Sequence, residues 1–343
     1  MNKRQFLEAL NALAGALPRA ERERLTAYYS EIIEDSIEDG VPEEEAVAAL
    51  GSPEEVVREL LPAGAPAGTP RSGETVEALR SLDVRVGHAD VTLRRIPLDN
   101  GAAAQIQFSD PSRFTWRMNG DALEIVENPA ESKLSLFGLL DLGTRNLATV
   151  TITLSGPLEG AVSGTSASGD LLAEGLEIGQ LVSLSSQSGD VKLRGCACAG
   201  EIKLRSVSGD IDARDVRCDD GLTLSTASGD IEIDRGAGAF LSLKTASGDA
   251  RIDAFDGCDE LAVETASGDI DLSRTAAPRM RLNAISGDID VRLPNAAGRC
   301  DIHADTRSGR IRLPRDWTPA ASESVCGISA RTVSGDITVT IVE

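Results

Sequence analysis

From about residue 160 to the end of the chain, apolar and polar positions alternate in short bursts, and the bursts return in step around a recurring Ser-Gly-Asp triplet. The serines fall at 168, 188, 208, 228, 247, 267, 286, 308 and 334, a period of about 20 residues with a looser last interval. Six residues before them stand Val162, Val182, Ile202, Leu222, Leu241, Leu261, Met280, Ile302 and Ile328. Three residues after them stand Leu171, Val191, Ile211, Ile231, Ala250, Ile270, Ile289, Ile311 and Ile337. Period-two alternation on both sides of the triplet predicts two short strands per repeat, each with one face inward. A fixed period of this size predicts a solenoid. The fold class expected is therefore mainly β: a parallel β-helix of about 20 residues per coil, right-handed by the usual rule for parallel crossovers, behind a small N-terminal all-α domain.

A sharp corner between two inward-facing strands calls for a residue that accepts positive φ without a Cβ clash. That expectation falls on Gly169, Gly189, Gly209, Gly229, Gly248, Gly268, Gly287, Gly309 and Gly335. Two residues before each serine lies a hydroxyl column, Ser166, Ser186, Ser206, Thr226, Thr245, Thr265, Thr306 and Thr332, broken only by Ala284. Short polar side chains there and at the aspartate suit a turn, because they can bond amides that leave the ladder.

The aspartates form a column of like charge interrupted at Arg310. Neighbours about 4.8 Å apart in water repel by about 0.9 kcal/mol. Turn amides, flanking cations or bound calcium could meet that cost. The weak calcium candidates are Asp190, Asp210, Asp230, Asp249, Asp269 and Asp288. Calcium-binding rolls place several oxygen ligands in each repeat, and one carboxylate per coil favours the structural reading, with no cofactor.

The first sixty residues carry a different pattern. Phe6, Leu10, Leu13 and Leu17 fall at helical spacing, Pro18 follows, and a second helix is predicted through Leu25, Tyr28, Tyr29, Ile32 and Ile33 to a stop at Gly40. In "GSPEEVVREL" Ser52 reads as an N-cap, Pro53 as the first helical residue and Glu55 as the capping-box partner. The stretches "MNKRQFLEAL", "YYSEIIEDSIEDG" and "LGSPEEVVREL" resemble, in order and spacing, the HTH-associated α-helical signalling (HAAS) domain over residues 1–61. The resemblance implies a signalling module and a protein partner, a PadR-type transcription regulator. Tyr28, Tyr29, Glu34, Asp35 and Glu38 are the docking candidates, although a charge run on a helix is more often a solvated face. Residues 62–75 have the Pro, Gly and Ala composition of a flexible linker.

Residues 76–343 make the β domain, with 76–160 as degenerate opening coils and cap. The apolar segment "SKLSLFGLLDLG", 132–143, is expected to fold over the open first coil, with partner docking as the alternative, and residues 314–327, with Trp317, to shield the other end. "SGDIEI" at 228–233 and "SGDIDL" at 267–272 resemble the recurrent coils of a β-strand-repeat family labelled "putative adhesin".

A net charge of -21 argues against binding phosphate backbones or anionic lipid surfaces, and 3% aromatic residues against base-stacking or sugar-stacking clefts. Six cysteines are sparse for this length and read as free thiols, with Cys198 and Cys218 one repeat apart and able to stack; two histidines and no CxxC make zinc improbable. Glu8 and Asn11 interrupt the opening apolar run, so a signal peptide is not expected, nor is a transmembrane segment, and the expected address is cytoplasmic. The function these readings predict is non-enzymatic: a signalling or interaction protein whose helical module docks a regulator and whose β-helix is a sensor or scaffold. An envelope or surface adhesin and a polysaccharide-active β-helix enzyme are the alternatives.

Overall fold

The computed structural model describes residues 3–13, 26, 29, 30, 33, 42, 43, 47, 53, 73–128, 148–294, 300–314 and 326–342. The expectations for the linker over 62–72, the 132–143 cap and Trp317 lie outside the described residues. The chain divides into two units, Met1–Gly68 and Thr69–Glu343.

In the first unit, helix Lys3–Leu13 turns Phe6 and Leu10 into a core with Ile33 and Val47. The 3.6-residue period explains the choice, since positions four apart lie on one face. The Lys3 amide donates to Glu43 Oε1 at 2.8 Å, and Pro53 is helical and buried.

The second unit is mainly β, built as two long sheets, one on each side of a continuous apolar core. Neighbouring repeats pair in parallel and in register. Val182 lies beside Ile202, Ile202 beside Leu222 and Leu222 beside Leu241 in one sheet, while Ile211 lies beside Ile231 and Ile231 beside Ala250 in the other. Like therefore stacks on like, and the column six before the triplet is buried throughout. The column three after it is buried everywhere except at Ile311, which is 43% exposed.

Stacking order departs from chain order at both ends. The sheet of strands preceding the triplets runs in space Cys300–Ser308, Cys326–Ser334, Arg279–Ser286, Glu260–Ser267, and ends Val162–Ser166, Ser81–Val86, Ala122–Glu127, Phe114–Asn119. The C-terminal repeat thus inserts beneath the one that precedes it in sequence, leaving Cys300–Ser308 at the outer edge. Ile311 is exposed for that reason: among the described residues its strand, Ile311–Arg312, pairs on one side, with Ile337–Val342.

At the opposite end the opening region is more than degenerate coils. Strands Ser81–Val86 and Asp90–Arg95 make a full repeat against Val162–Ser166 and Leu171–Glu174. Ala122–Glu127 and Thr149–Leu154 still pair with these two in parallel, and beyond them the pairing turns antiparallel, with Phe114–Asn119 on Ala122–Glu127, and Ala104–Phe108 between Thr149–Leu154 and Glu74–Val76. The stacked rings of Phe108 and Phe114, 5.0 Å apart, help fill this end. Glu127 closes it: one carboxylate oxygen accepts the amides of Gly87 (2.7 Å), His88 (2.9 Å) and Ala89 (3.2 Å), and the other pairs with Arg113. Burial would raise the Glu127 pKa, but those amides and the guanidinium outweigh it and hold the carboxyl below its ordinary value.

The expected role of the triplet glycines needs correction. Only Gly287 among the nine has a positive φ, 157°, on the border of the extended region. The left-handed corner lies elsewhere in the coil, at Gly175, Gly195, Asp215, Arg235, Ala254 and Arg274, with φ between 51° and 66°. The triplet needs glycine because the coils touch there. A Cβ on Gly189 would stand 2.2 Å from the Gly169 carbonyl oxygen, one on Gly229 2.2 Å from that of Gly209, and one on Gly268 2.0 Å from that of Gly248. Gly169 rests in the same way on the backbone of Ala89, and each of the other eight on the backbone of the triplet glycine in the adjacent coil.

Candidate functional site

The edge where the two sheets meet at the triplets is the most regular surface of the molecule. Its hydroxyl column is buried except at half-buried Thr306, and at Ser186, Ser206 and Thr226 it works in both directions: Ser206 Oγ donates to the Gly189 carbonyl at 3.1 Å and accepts the Gly209 amide at 2.9 Å. Thr226 repeats this one coil on, donating to the Gly209 carbonyl at 3.1 Å and accepting the Gly229 amide at 3.2 Å. Ala284 leaves the Gly268 carbonyl without that donor.

The aspartates form a second ladder. Asp170 Oδ1 accepts the amide of Asp190 at 2.9 Å, Asp190 that of Asp210 at 3.0 Å, Asp210 that of Asp230 at 2.9 Å, and Asp230 that of Asp249 at 2.8 Å. Asp249, Asp269 and Asp288 continue it to the amides of Asp269, Asp288 and Asp336. It starts at Asp90, which accepts the Asp170 amide, and ends where Asp336 accepts the amide of Arg310. The carboxylate in each coil therefore serves the next coil in space, not its own turn. Among the described residues Arg310 stands in the outermost coil, with no further amide to be met, and the one interruption in the column falls at that end of the stack.

At three rungs the second carboxylate oxygen meets a cation. Lys192 reaches Asp190 Oδ2 at 2.8 Å, Arg251 reaches Asp249 Oδ2 at 3.2 Å, and Arg310 and Arg312 reach Asp336 Oδ2 at 3.3 and 3.5 Å. Burial pushes the Asp190 carboxyl up, but the Lys192 ammonium and the Asp210 amide outweigh it and lower its pKa. For Asp336 the Arg310 amide is the largest effect, and with the two guanidinium charges it holds the carboxyl below the usual range against burial. Stability from these two groups is fully present above the ordinary aspartate pKa and is lost as pH falls through the lowered values.

Of the calcium candidates, Asp190, Asp210, Asp230, Asp249, Asp269 and Asp288 each commit one oxygen to an amide, and the described residues contain no cluster of three or more metal-ligating side chains. If the column is a hydrogen-bond ladder, Asp230→Asn keeps an acceptor oxygen and removes a like charge, so thermal stability is expected to stay within about 0.5 kcal/mol. Asp230→Ala removes the acceptor and is expected to cost about 1 kcal/mol. Melting curves of the two variants, with and without calcium, check this.

In the helical unit, Tyr28, Glu34, Asp35 and Glu38 lie outside the described residues. Tyr29 is half-buried against the small core, its ring 6.0 Å from that of Phe6. Sequence reasoning missed Glu127 and the left-handed corner. Glycines at the equivalent positions 175 and 195 were a legible signal for the corner, but Asp215, Arg235, Ala254 and Arg274 hid it in later coils.

A family model described as Toastrack DUF4097 matches residues 79–340, most of the chain and nearly all of the β unit. The chain belongs to the Toastrack DUF4097 family. A HAAS domain precedes the Toastrack region, matched over residues 5–59. No curated protein matches the chain. Among solved structures it is similar to a protein of Parabacteroides distasonis described as a "putative lipid binding protein", at 18% identity and TM-score 0.43, covering 79% of this chain and 97% of that one. It is also similar to a "putative adhesin" of Bacteroides fragilis, at 12% identity and TM-score 0.39, covering 79% and 95% of the two chains. A "putative cell adhesion protein" of Clostridium sporogenes matches at 12% identity and TM-score 0.19, covering 79% and 98%. The cytoplasmic address expected from the sequence is corrected at this point: these structures carry names that go with the cell envelope or surface. No helix among the described residues is long and apolar enough to cross a membrane.

Proposed function

We propose that this protein is a non-enzymatic signalling scaffold, in which the HAAS unit docks a PadR-type transcription regulator and the Toastrack solenoid receives a second partner along its triplet edge. The observation that carries the reading is the pairing of a HAAS domain with a solenoid whose most regular surface is spent on holding coils together. Carboxylates placed once per coil and bonded to backbone amides do not converge as an acid-base pair must, at about 5–10 Å across a cleft. What they offer outward is a row of acceptor oxygens, suited to a partner carrying basic groups at matching spacing. We take the winding to be a right-handed parallel β-helix of about 20 residues per coil, which the parallel in-register pairing supports.

The test is co-elution of the full chain with purified PadR-type regulators of its native host. A complex lost on replacing Glu34, Asp35 and Glu38 with lysine supports the reading, and absence of any complex removes it. The names of the solved structures suggest a second reading, an adhesion role at the cell surface. Labelling of intact cells with an antibody to the solenoid favours that reading if it succeeds.

A further inference from the structure

All six cysteines are buried thiols. Two pairs face each other in register on neighbouring coils, Cys198 with Cys218 and Cys300 with Cys326. In-register parallel neighbours lie about 4.8 Å apart at Cα, inside the range a disulfide spans. The two pairs differ in where their thiols point. Cys198 Sγ donates to the Glu201 carbonyl at 3.7 Å and Cys218 Sγ to the Ala237 carbonyl at 3.6 Å, each bound to main chain. Cys300 and Cys326 instead hydrogen-bond each other.

We propose that Cys300 and Cys326 form a reversible disulfide by exchange with a small-molecule disulfide such as oxidised glutathione, fastening the outermost coil to the one beneath it. Location supplies the access that burial denies. Cys300 opens strand Cys300–Ser308, which among the described residues is the edge strand of its sheet and pairs on one side, and such edges open locally at low cost. The Cys326 thiol donates its hydrogen bond to Cys300 sulfur and favours the Cys300 thiolate against burial, while Cys326 is pushed up, first by that same bond and then by burial. Cys300 is therefore the attacking sulfur.

The exchange runs in two steps. Cys300 thiolate attacks one sulfur of the small disulfide, forming a mixed disulfide and releasing one small thiolate. Cys326 then loses its proton and attacks Cys300 Sγ, displacing the second small thiolate. The protein loses two protons and two electrons, and the small disulfide takes them up to become two thiols. The crosslink joins the edge strand Cys300–Ser308 to Cys326–Ser334, its neighbour in that sheet among the described residues.

The test uses the full chain incubated with oxidised glutathione, quenched in acid, alkylated, digested and mapped by mass. The expected result is a crosslinked peptide containing Cys300 and Cys326, with a melting temperature raised by several degrees and returned by dithiothreitol. Cys198→Ser should behave like the parent, while Cys326→Ser should show neither crosslink nor rise. Absence of that peptide from the folded parent, glutathione adducts that persist on single cysteines, or a dominant Cys198–Cys218 crosslink would each overturn the proposal. Mapping the parent needs no variant, so poor folding of Cys326→Ser leaves the decision intact.

Discussion

Replacing Gly229 with alanine is expected to destabilise the solenoid by about 3 kcal/mol or more, whereas the same change at Gly195 should cost about 1 kcal/mol. Conformation alone predicts the reverse order. Gly195 has φ 59°, a value that favours glycine, and Gly229 does not have a positive φ. Space decides against that ranking. A Cβ at Gly195 meets nothing within 4 Å, and the equivalent corners of later coils already hold Asp215, Arg235, Ala254 and Arg274. A Cβ at Gly229 meets the Gly209 carbonyl oxygen at 2.2 Å, and both groups are backbone in the ladder, so relief requires prising two coils apart. The hydroxyl ladder sits on the same atoms, since Thr226 bonds the Gly209 carbonyl and the Gly229 amide. Each kcal/mol shifts the melting temperature of a unit this size by about 2–4 °C, so calorimetry of the two variants separates the explanations.

The other large effect is expected at Phe255. Its ring is 1% exposed and fills a slot that the neighbouring coil leaves by carrying glycine: a Cβ on Gly236 would meet Phe255 Cδ2 at 2.5 Å, and one on Gly238 would approach Cζ at 3.5 Å. In the adjacent coil Val216 occupies the position of Gly236, register partners in the sheet. Phe255→Ala should therefore cost about 3–5 kcal/mol, the usual price of a large cavity. Gly236→Val alone should also destabilise, by overpacking against the ring. Combined, the two changes should cost less than their sum, because the valine enters the space the ring has left. Chemical denaturation of the three variants measures that coupling, and strict additivity would mean the two sites do not share a cavity.

Much of the fold was legible because a stacked repeat writes its geometry into columns. The apolar columns on either side of the triplet are the core, as their spacing implied. Local chemistry misled at the triplet glycine, where a turn was assumed and the real constraint came from the next coil, a contact that sequence neighbours cannot reveal. Order at the ends was harder still. Nothing in the period says that Cys326–Ser334 lies between Arg279–Ser286 and Cys300–Ser308. The residue that betrays it is Arg310, which breaks the aspartate column where the next amide is missing, and Ile311 beside it is an inward-column residue left exposed. The candidate site was less legible. The acids could be placed on one line by period alone, but whether they faced ions or amides depended on which coil each carboxylate served.

Paired cysteines on the exposed serine column test the stacking account most directly. Ser286 is register partner to Ser334, and Ser334 to Ser308, so adjacent rungs lie about 4.8 Å apart and Ser286 and Ser308 about twice that. Under mild oxidation the Ser286→Cys, Ser334→Cys variant should close a mapped disulfide readily, and the Ser286→Cys, Ser308→Cys variant should not. Rapid closure of the second pair with failure of the first would show that the coils pile up in chain order and would contradict the account.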